Sequence, residues 1–170
     1  MRILRGFTLV VDDNTNLALE IEAMKLPTME EMTESFMPGG GDVEIDITGL
    51  GTKAFALPFK LKTHSPSVMA LYGGPPGLRR AFTGKKLVID EEDGSNHEHA
   101  VDIRGRLAKI EGQEMTAGKA VGYDNEVKGI WDYTEYWDGR VMYRYSFKLG
   151  GWQVMNFEQV NTARTQILFS

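Results

Sequence analysis

The sequence predicts a mainly β fold, a single-domain β-sandwich or barrel with one short flanking α-helix, and three observations predict it. Apolar side chains recur at every second position along most of the chain, the period of a half-buried strand. Glycine supplies 19 of the 170 residues, about 11% against a usual figure near 7%, which favours tight turns. Eight Phe, six Tyr and three Trp suit a pleated surface better than a helical one. Leu, Ile, Val and Phe together make up about a quarter of the chain, above the roughly 20% below which disorder is expected. A chain of 19.0 kDa buries roughly 70% of the surface its unfolded form exposes, so residues 1–170 are expected to form one domain.

The elements follow in order from the same period. Leu17, Leu19 and Ile21 alternate with Ala18, Glu20 and Glu22, and Val43, Ile45 and Ile47 alternate with Asp42, Glu44 and Asp46; both segments read as strands with one wet face. Between them, Met29 to Phe36 is open. Met29, Met32 and Phe36 suit a helix, whereas Glu30, Met32, Glu34 and Phe36 could share a strand face. Phe55, Leu57, Phe59 and Leu61 form the next alternating row, with Pro58 indicating an edge or a bulge because it cannot donate to a ladder. Ser65 can cap a helix of about two turns, with Pro66 at its first position, Val68, Met69, Leu71 and Tyr72 as its apolar stripe and Gly73-Gly74 as its stop. Val101, Ile103 and Leu107 then oppose Asp102, Arg104 and Arg106, and Val127, Trp131 and Tyr133 oppose Lys128, Asp132 and Thr134, with Gly129 as a gap in the row. Asp138-Gly139 predicts a two-residue hairpin from Trp137 into the strand carrying Val141, Tyr143, Tyr145, Phe147 and Leu149. Gly150-Gly151 turns the chain into a last strand around Trp152 to Glu158, and Asn161 to Ser170 has no decisive period.

A net charge of -5 and a pI near 5.3 argue against a protein that grips nucleic acid, because that affinity comes from Lys and Arg displacing counterions. The absence of cysteine excludes disulfides, thiolate zinc sites and thiol nucleophiles. No run approaches 18 apolar residues, and MRILRGFTLVVDD reaches an Asp pair after a very short apolar stretch, so neither a membrane span nor a secretory signal is expected.

Candidate chemistry is sparse. Gly49-Leu50-Gly51-Thr52-Lys53-Ala54 imitates a dinucleotide loop, but a strand containing Pro58 follows where a helix is needed. Asp90-Glu91-Glu92-Asp93-Gly94 resembles a calcium loop only until its glycine is aligned, which puts Ile89 and Ala100 at ligand positions; an exposed acidic turn is the better account. His97 and His99, two apart, would face the same side of a strand and are the best enzymatic hint, although no spacing supplies a third metal ligand. No serine lies on a nucleophile elbow. The least ordinary feature is the row Asp42, Glu44 and Asp46, with Glu20, Glu22, Glu30, Glu31 and Glu34 nearby, since like charges stacked on a strand face repel. Such a row is either a solvated face or a surface that repels a polyanion.

The run Ile21 to Met29 with its Leu26-Pro27 pair, Phe36-Met37-Pro38 before Gly39-Gly40-Gly41, and the acid-alternating strand Val43 to Gly49 resemble, in that order, the major tail tube family of contractile-tailed bacteriophages; R-type bacteriocin tube subunits are similar. Val101 to Leu107 followed by Ala117-Gly118-Lys119, and Trp137-Asp138-Gly139-Arg140, extend the resemblance over roughly residues 7 to 145. The segment 150–170 and the insert Gly74 to Arg80 find no counterpart in it. The resemblance implies a structural subunit with no catalytic residues, cofactor or metal, stacked in hexameric rings as the inner tube of a tail within the virion. Its partners would be further copies of itself, the sheath, tape-measure and baseplate initiator proteins and the tail terminator. It also implies that Met29 to Phe36 and Asp42 to Thr48 are the arms of a long hairpin contributing to a multi-subunit barrel. On that footing Asp42, Glu44, Asp46, Glu30 and Glu34 would line a lumen that conducts DNA without binding it, and the loop Phe36, Met37, Pro38, Gly39, Gly40 and Gly41 would touch a neighbouring subunit. Two alternatives come from other classes. One is a monomeric β-sandwich gripping a sugar or peptide through Trp131, Trp137 or Trp152, and the other is a small metal enzyme built on His97 and His99.

Overall fold

The computed structural model describes residues 1–148, 150–154 and 166–168, with the backbone alone at Trp152 and Gln153. Its strands are β1 (Arg2–Val11), β2 (Thr15–Asn16), β3 (Ile21–Met24), β4 (Glu34–Phe36), β5 (Ile45–Ile47), β6 (Leu57–Leu61), β7 (Arg80–Asp90), β8 (Asn96–Gly112), β9 (Tyr123–Trp137), β10 (Arg140–Ser146) and β11 (Gly151–Val154), with the short helix α1 (Pro66–Met69) between β6 and β7 and a second helical stretch at 166–168. The fold is mainly β, as the alternation predicts.

One antiparallel sheet runs β11-β10-β9-β8-β7-β1-β2, and β6 and β3 branch from the first half of β9. The branch follows from strand length. β9 is 15 residues long; its first part pairs with β6, Leu57 opposite Val127 through Leu61 opposite Tyr123, and its last part pairs with β10. Together with the 17-residue β8 it curls the sheet into a half-barrel. Leu9, Val11, Leu57, Phe59, Leu61, Phe82, Val101, Ile103, Leu107, Val127 and Tyr133 fill its concave side. Burying side chains of this size contributes roughly 1.5–3 kcal/mol each, which is what holds the curl.

A bulge and a tight turn shape the long strands. Arg104 pairs with Asp132 but Arg106 with Lys128, so Gly129, Ile130 and Trp131 stand opposite a single residue. Gly129 has a φ of 63°, which lets the chain loop out, turn Ile130 into the core and lift Trp131 to the surface. The gap expected at Gly129 is therefore a bulge, and Trp131 leaves the Val127 and Tyr133 row. At the β9–β10 turn, Trp137 pairs with Arg140 and both Asp138 (φ 48°) and Gly139 (φ 79°) are left-handed, the two-residue hairpin that Asp-Gly predicts.

Several boundaries differ from the expectations. Leu17 to Glu20 is a turn, closed by the Glu20 and Ile21 N–H groups donating to the Leu17 carbonyl, both at 2.9 Å, and braced by the Ala18 N–H donating to Asn16 Oδ1 at 2.9 Å. Leu17 is buried and Leu19 is 98% exposed, so the strand begins only at Ile21. Pro58 is not on an edge, because β6 has β3 on one side and β9 on the other; the irregularity falls in β3, between Ile21 and Ala23. The helix has one turn, not two, with Pro66 at its start and Val68 as its buried residue. β1 and β7 carry no clear period in sequence, since Gly6, Gly84 and Lys86 interrupt their apolar rows. Of the expected last strand, 155–158 lie outside the described residues, as do Leu149 and most of 161–170.

Candidate assembly surface

β4 and β5 pair only with each other, as an antiparallel two-stranded ribbon apart from the main sheet. Its register sets Glu34 opposite Ile47, Ser35 opposite Asp46 and Phe36 opposite Ile45. Directly opposed residues share a face and successive residues alternate, so the ribbon has two unlike sides. Phe36, Ile45, Ile47 and Glu34 occupy one; Ser35 and Asp46 occupy the other, where the Ser35 hydroxyl donates to Asp46 Oδ1 at 2.8 Å. Below the ribbon the arms stay together, with the Met32 N–H donating to the Gly51 carbonyl at 2.8 Å and the Lys53 N–H to the Glu30 carbonyl at 2.9 Å. The Glu30 carboxylate lies 3.1 Å from the Lys53 ammonium.

Met29 to Phe36 and the segment returning from Asp42 are thus the two arms of a hairpin, but its regular part is short. Between Phe36 and Ile45 the chain is a loop, turned where the Gly41 N–H donates to the Pro38 carbonyl at 3.1 Å; proline and three glycines do not sustain a ladder there. Asp42 and Glu44 lie in this loop and not on the expected strand, and they are exposed, as are Glu30, Glu34 and Asp46. The five acids are not on one face: Glu34 shares a side with Phe36, opposite Asp46. Glu20 is in the turn before β3, and Glu22, in β3, is 3.5 Å from Lys62. The hairpin also concentrates exposed apolar surface, with Phe36 and Ile45 each 51% and Val43 72% exposed.

The two histidines do not converge. His97 Nδ1 is 2.6 Å from Asp138 Oδ2 and its Nε2 3.1 Å from Ser95 Oγ, whereas His99 Nε2 is 2.7 Å from Glu135 Oε1. Trp137 lies beside both rings, 5.6 Å from His97 and 5.8 Å from His99. The hydrogen bond with His97, helped by the Glu98 N–H, holds the Asp138 carboxyl below the usual carboxylate range. Among the described residues no three His, Asp or Glu side chains are grouped to hold a metal ion. Of the aromatic candidates, Trp131 is engaged within the fold as Trp137 is, with Arg79 3.7 Å over its ring and Phe147 at 4.8 Å; the side chain of Trp152 lies outside the described residues. The acidic turn after β7 is tied to β1, through Arg5 with Glu91 and Arg2 with Asp90.

A model of the phage tail tube protein FII family matches residues 1–167. The chain belongs to this family. As a phage tail tube protein it is a structural subunit that self-assembles into a tube, a component of the virion that works among other tail proteins. The match runs beyond residues 7–145 at both ends, so 150–167 falls inside the family although its motifs are not legible there. No curated protein matches the chain significantly.

The insert Gly74 to Arg80 also finds its place. Arg106 donates from Nη1 to the Pro75 carbonyl at 2.8 Å and from Nη2 to the Gly74 carbonyl, and Arg79 Nε donates to the Gly129 carbonyl at 3.2 Å. The segment is pinned over the β9 bulge, a role the isolated sequence of the insert does not announce because both anchors are distant in the chain.

Proposed function

We propose that this tail tube protein polymerises as stacked hexameric rings, forming the inner tube of a contractile phage tail or a related injection particle, and that the tube conducts DNA through an acidic lumen. The observation that carries the proposal is the two-sided ribbon in a chain of this family. Asp46 with Ser35 supplies a polar side and Phe36, Ile45 and Ile47 an apolar one, and the exposed acids Asp42 and Glu44 stand in the adjoining loop. A lumen lined by Asp42, Glu44, Asp46 and Glu30 repels phosphates, so DNA slides without adsorbing. Glu34 belongs to the contact side by register. The loop Phe36 to Gly41 meets the adjacent subunit, where three glycines permit close backbone approach. The sheath surrounds the tube, the tape-measure protein fills it during assembly in the host cytoplasm, and the baseplate initiator and tail terminator cap its ends. The subunit itself performs no chemistry and needs no cofactor.

Negative-stain microscopy of the concentrated protein tests this. Rings with six-fold averages, growing into tubes, are the expected outcome. A chain that stays monomeric at all concentrations, even with the baseplate initiator present, overturns it.

A further inference from the structure

The hairpin and the sheet divide the charge of the chain unequally. Residues 27–53 hold six carboxylates and one lysine, so the hairpin carries the whole net charge of -5 and the remainder of the chain is formally neutral. Within that remainder one end of the sheet is locally cationic. Leu107 and Val127 are buried opposite each other, so their neighbours Arg106 and Lys128, also paired in register, both face outward. Like charges so placed repel, and Glu126, 3.8 Å from Lys128, is the carboxylate beside them. Arg106 is turned onto the Pro75 and Gly74 carbonyls, and Arg79 lies over Trp131 with its donors on the Gly129 and Gly77 carbonyls. Among the described residues neither arginine has a carboxylate partner. Apolar surface adjoins them. Phe147, in ring contact with Trp131, is 54% exposed, and Leu78, which packs over Gly74, is 37% exposed.

We propose that this patch over the β9 bulge is the acceptor for the ribbon of a second copy, with Phe36, Ile45 and Ile47 seated on Trp131, Phe147 and Leu78 and with Glu34 meeting Arg79 or Arg106. The inference rests on the tube reading above and names the surface that the ribbon contacts. Charge commits the patch to that occupant. Glu34 stands on the apolar side of the ribbon and has no ion-pair partner among the described residues. One carboxylate in an apolar strip thus meets two guanidinium groups beside exposed aromatic rings, the complementarity that fixes register between partners. A tryptophan and an arginine held rigidly at the centre are also the side chains on which binding energy concentrates. Donor and acceptor are different patches of one chain, so the contact is heterologous, which builds rings or filaments. The opposite side of the ribbon, with Asp46, stays uncovered.

The absence of cysteine makes the test direct. Ile45→Cys is mixed during assembly with Phe147→Cys or, as a control, with Leu87→Cys, each chain carrying a tag of different mass, and the tubes are oxidised. All three positions are exposed, Leu87 lying toward the end of β7 away from the insert, and wild-type melting of each variant establishes that it folds. The expected product is a disulfide joining position 45 of one chain to position 147 of another, in large excess over the control pair and over pairs of like chains. Tubes that form without that product, or with as much of the control product, overturn the proposed acceptor while the tube reading stands; wild-type protein that never forms tubes overturns the reading itself. In a second arm, Phe147→Asp is expected to melt as wild type does and to raise the critical concentration for assembly roughly tenfold. A folded Phe147→Asp chain that assembles at the wild-type concentration overturns the acceptor.

Discussion

At the scale of single residues, partners decide what each side chain does. His97 and His99 share a strand face as their spacing indicates, yet each meets its own carboxylate, from a hairpin turn and a neighbouring strand some 36 to 41 residues away; no spacing along β8 could announce that. The depressed Asp138 carboxyl has a consequence for acid stability. A group whose folded pKa lies below its unfolded value contributes stability above the unfolded value, near 3.9 for Asp, and that contribution disappears as pH falls through the folded value. Asp90, held by the Glu92 N–H, and Asp93, held by Ser95, act in the same direction. The melting temperature is therefore expected to fall below about pH 4, and Asp138→Asn to show a shallower fall, measured by thermal melts from pH 2 to 7. Steric limits are equally local. A Cβ on Gly122 would overlap the Leu61 carbonyl at the β6–β9 junction, so Gly122→Ala is expected to cost about 1–3 kcal/mol or more in urea unfolding, although Gly122 reads in sequence as an ordinary loop glycine.

At the scale of elements, strands with one buried face are legible and the others are not. Leu57, Phe59 and Leu61 alternate in sequence and are buried in the fold, and Asp138-Gly139 carries its turn chemistry on its face. The Leu17 to Ile21 row fails because period two does not distinguish a strand from a turn whose apolar residues face opposite ways; Asn16, capping that turn, is the one local signal against a strand. In β9 the bulge at Gly129 inserts two residues, so Val127 and Tyr133 keep one face while Ile130 takes the core position between them and Trp131 is displaced from the row. The ribbon makes the opposite point. Its apolar residues Phe36, Ile45 and Ile47 contribute nothing to the core cluster, so under the proposed assembly hydrophobicity there serves contact and not folding. Ile45→Asp is expected to leave the unfolding free energy within about 0.5 kcal/mol of wild type, as surface changes do, while abolishing tubes by sedimentation. A loss of stability comparable to that of a core substitution would show instead that the ribbon packs within its own subunit.

For the whole molecule, the same net charge of -5 that argues against a DNA-gripping protein suits a conduit, provided the acids face the bore. Replacing Asp42, Glu44 and Asp46 by Asn, Gln and Asn is expected to leave tube assembly intact and to make DNA linger in assembled particles. Ejection measured against ionic strength reads this, with the variant slowing most at low salt. Unchanged ejection at every salt concentration would remove these residues from the lumen.

What the sequence by itself determined is the class of fold, the acidic character and the Asp-Gly hairpin. Each depends on residues close together in the chain, where side-chain period, turn chemistry and charge act locally. Tertiary structure alone decided that β9 serves two neighbours along its length, that Glu34 and Asp46 stand on opposite sides of the ribbon, and that Arg106 and the β9 bulge pin the insert. Those outcomes depend on register between distant strands, and a shift of one residue turns every side chain to the other face.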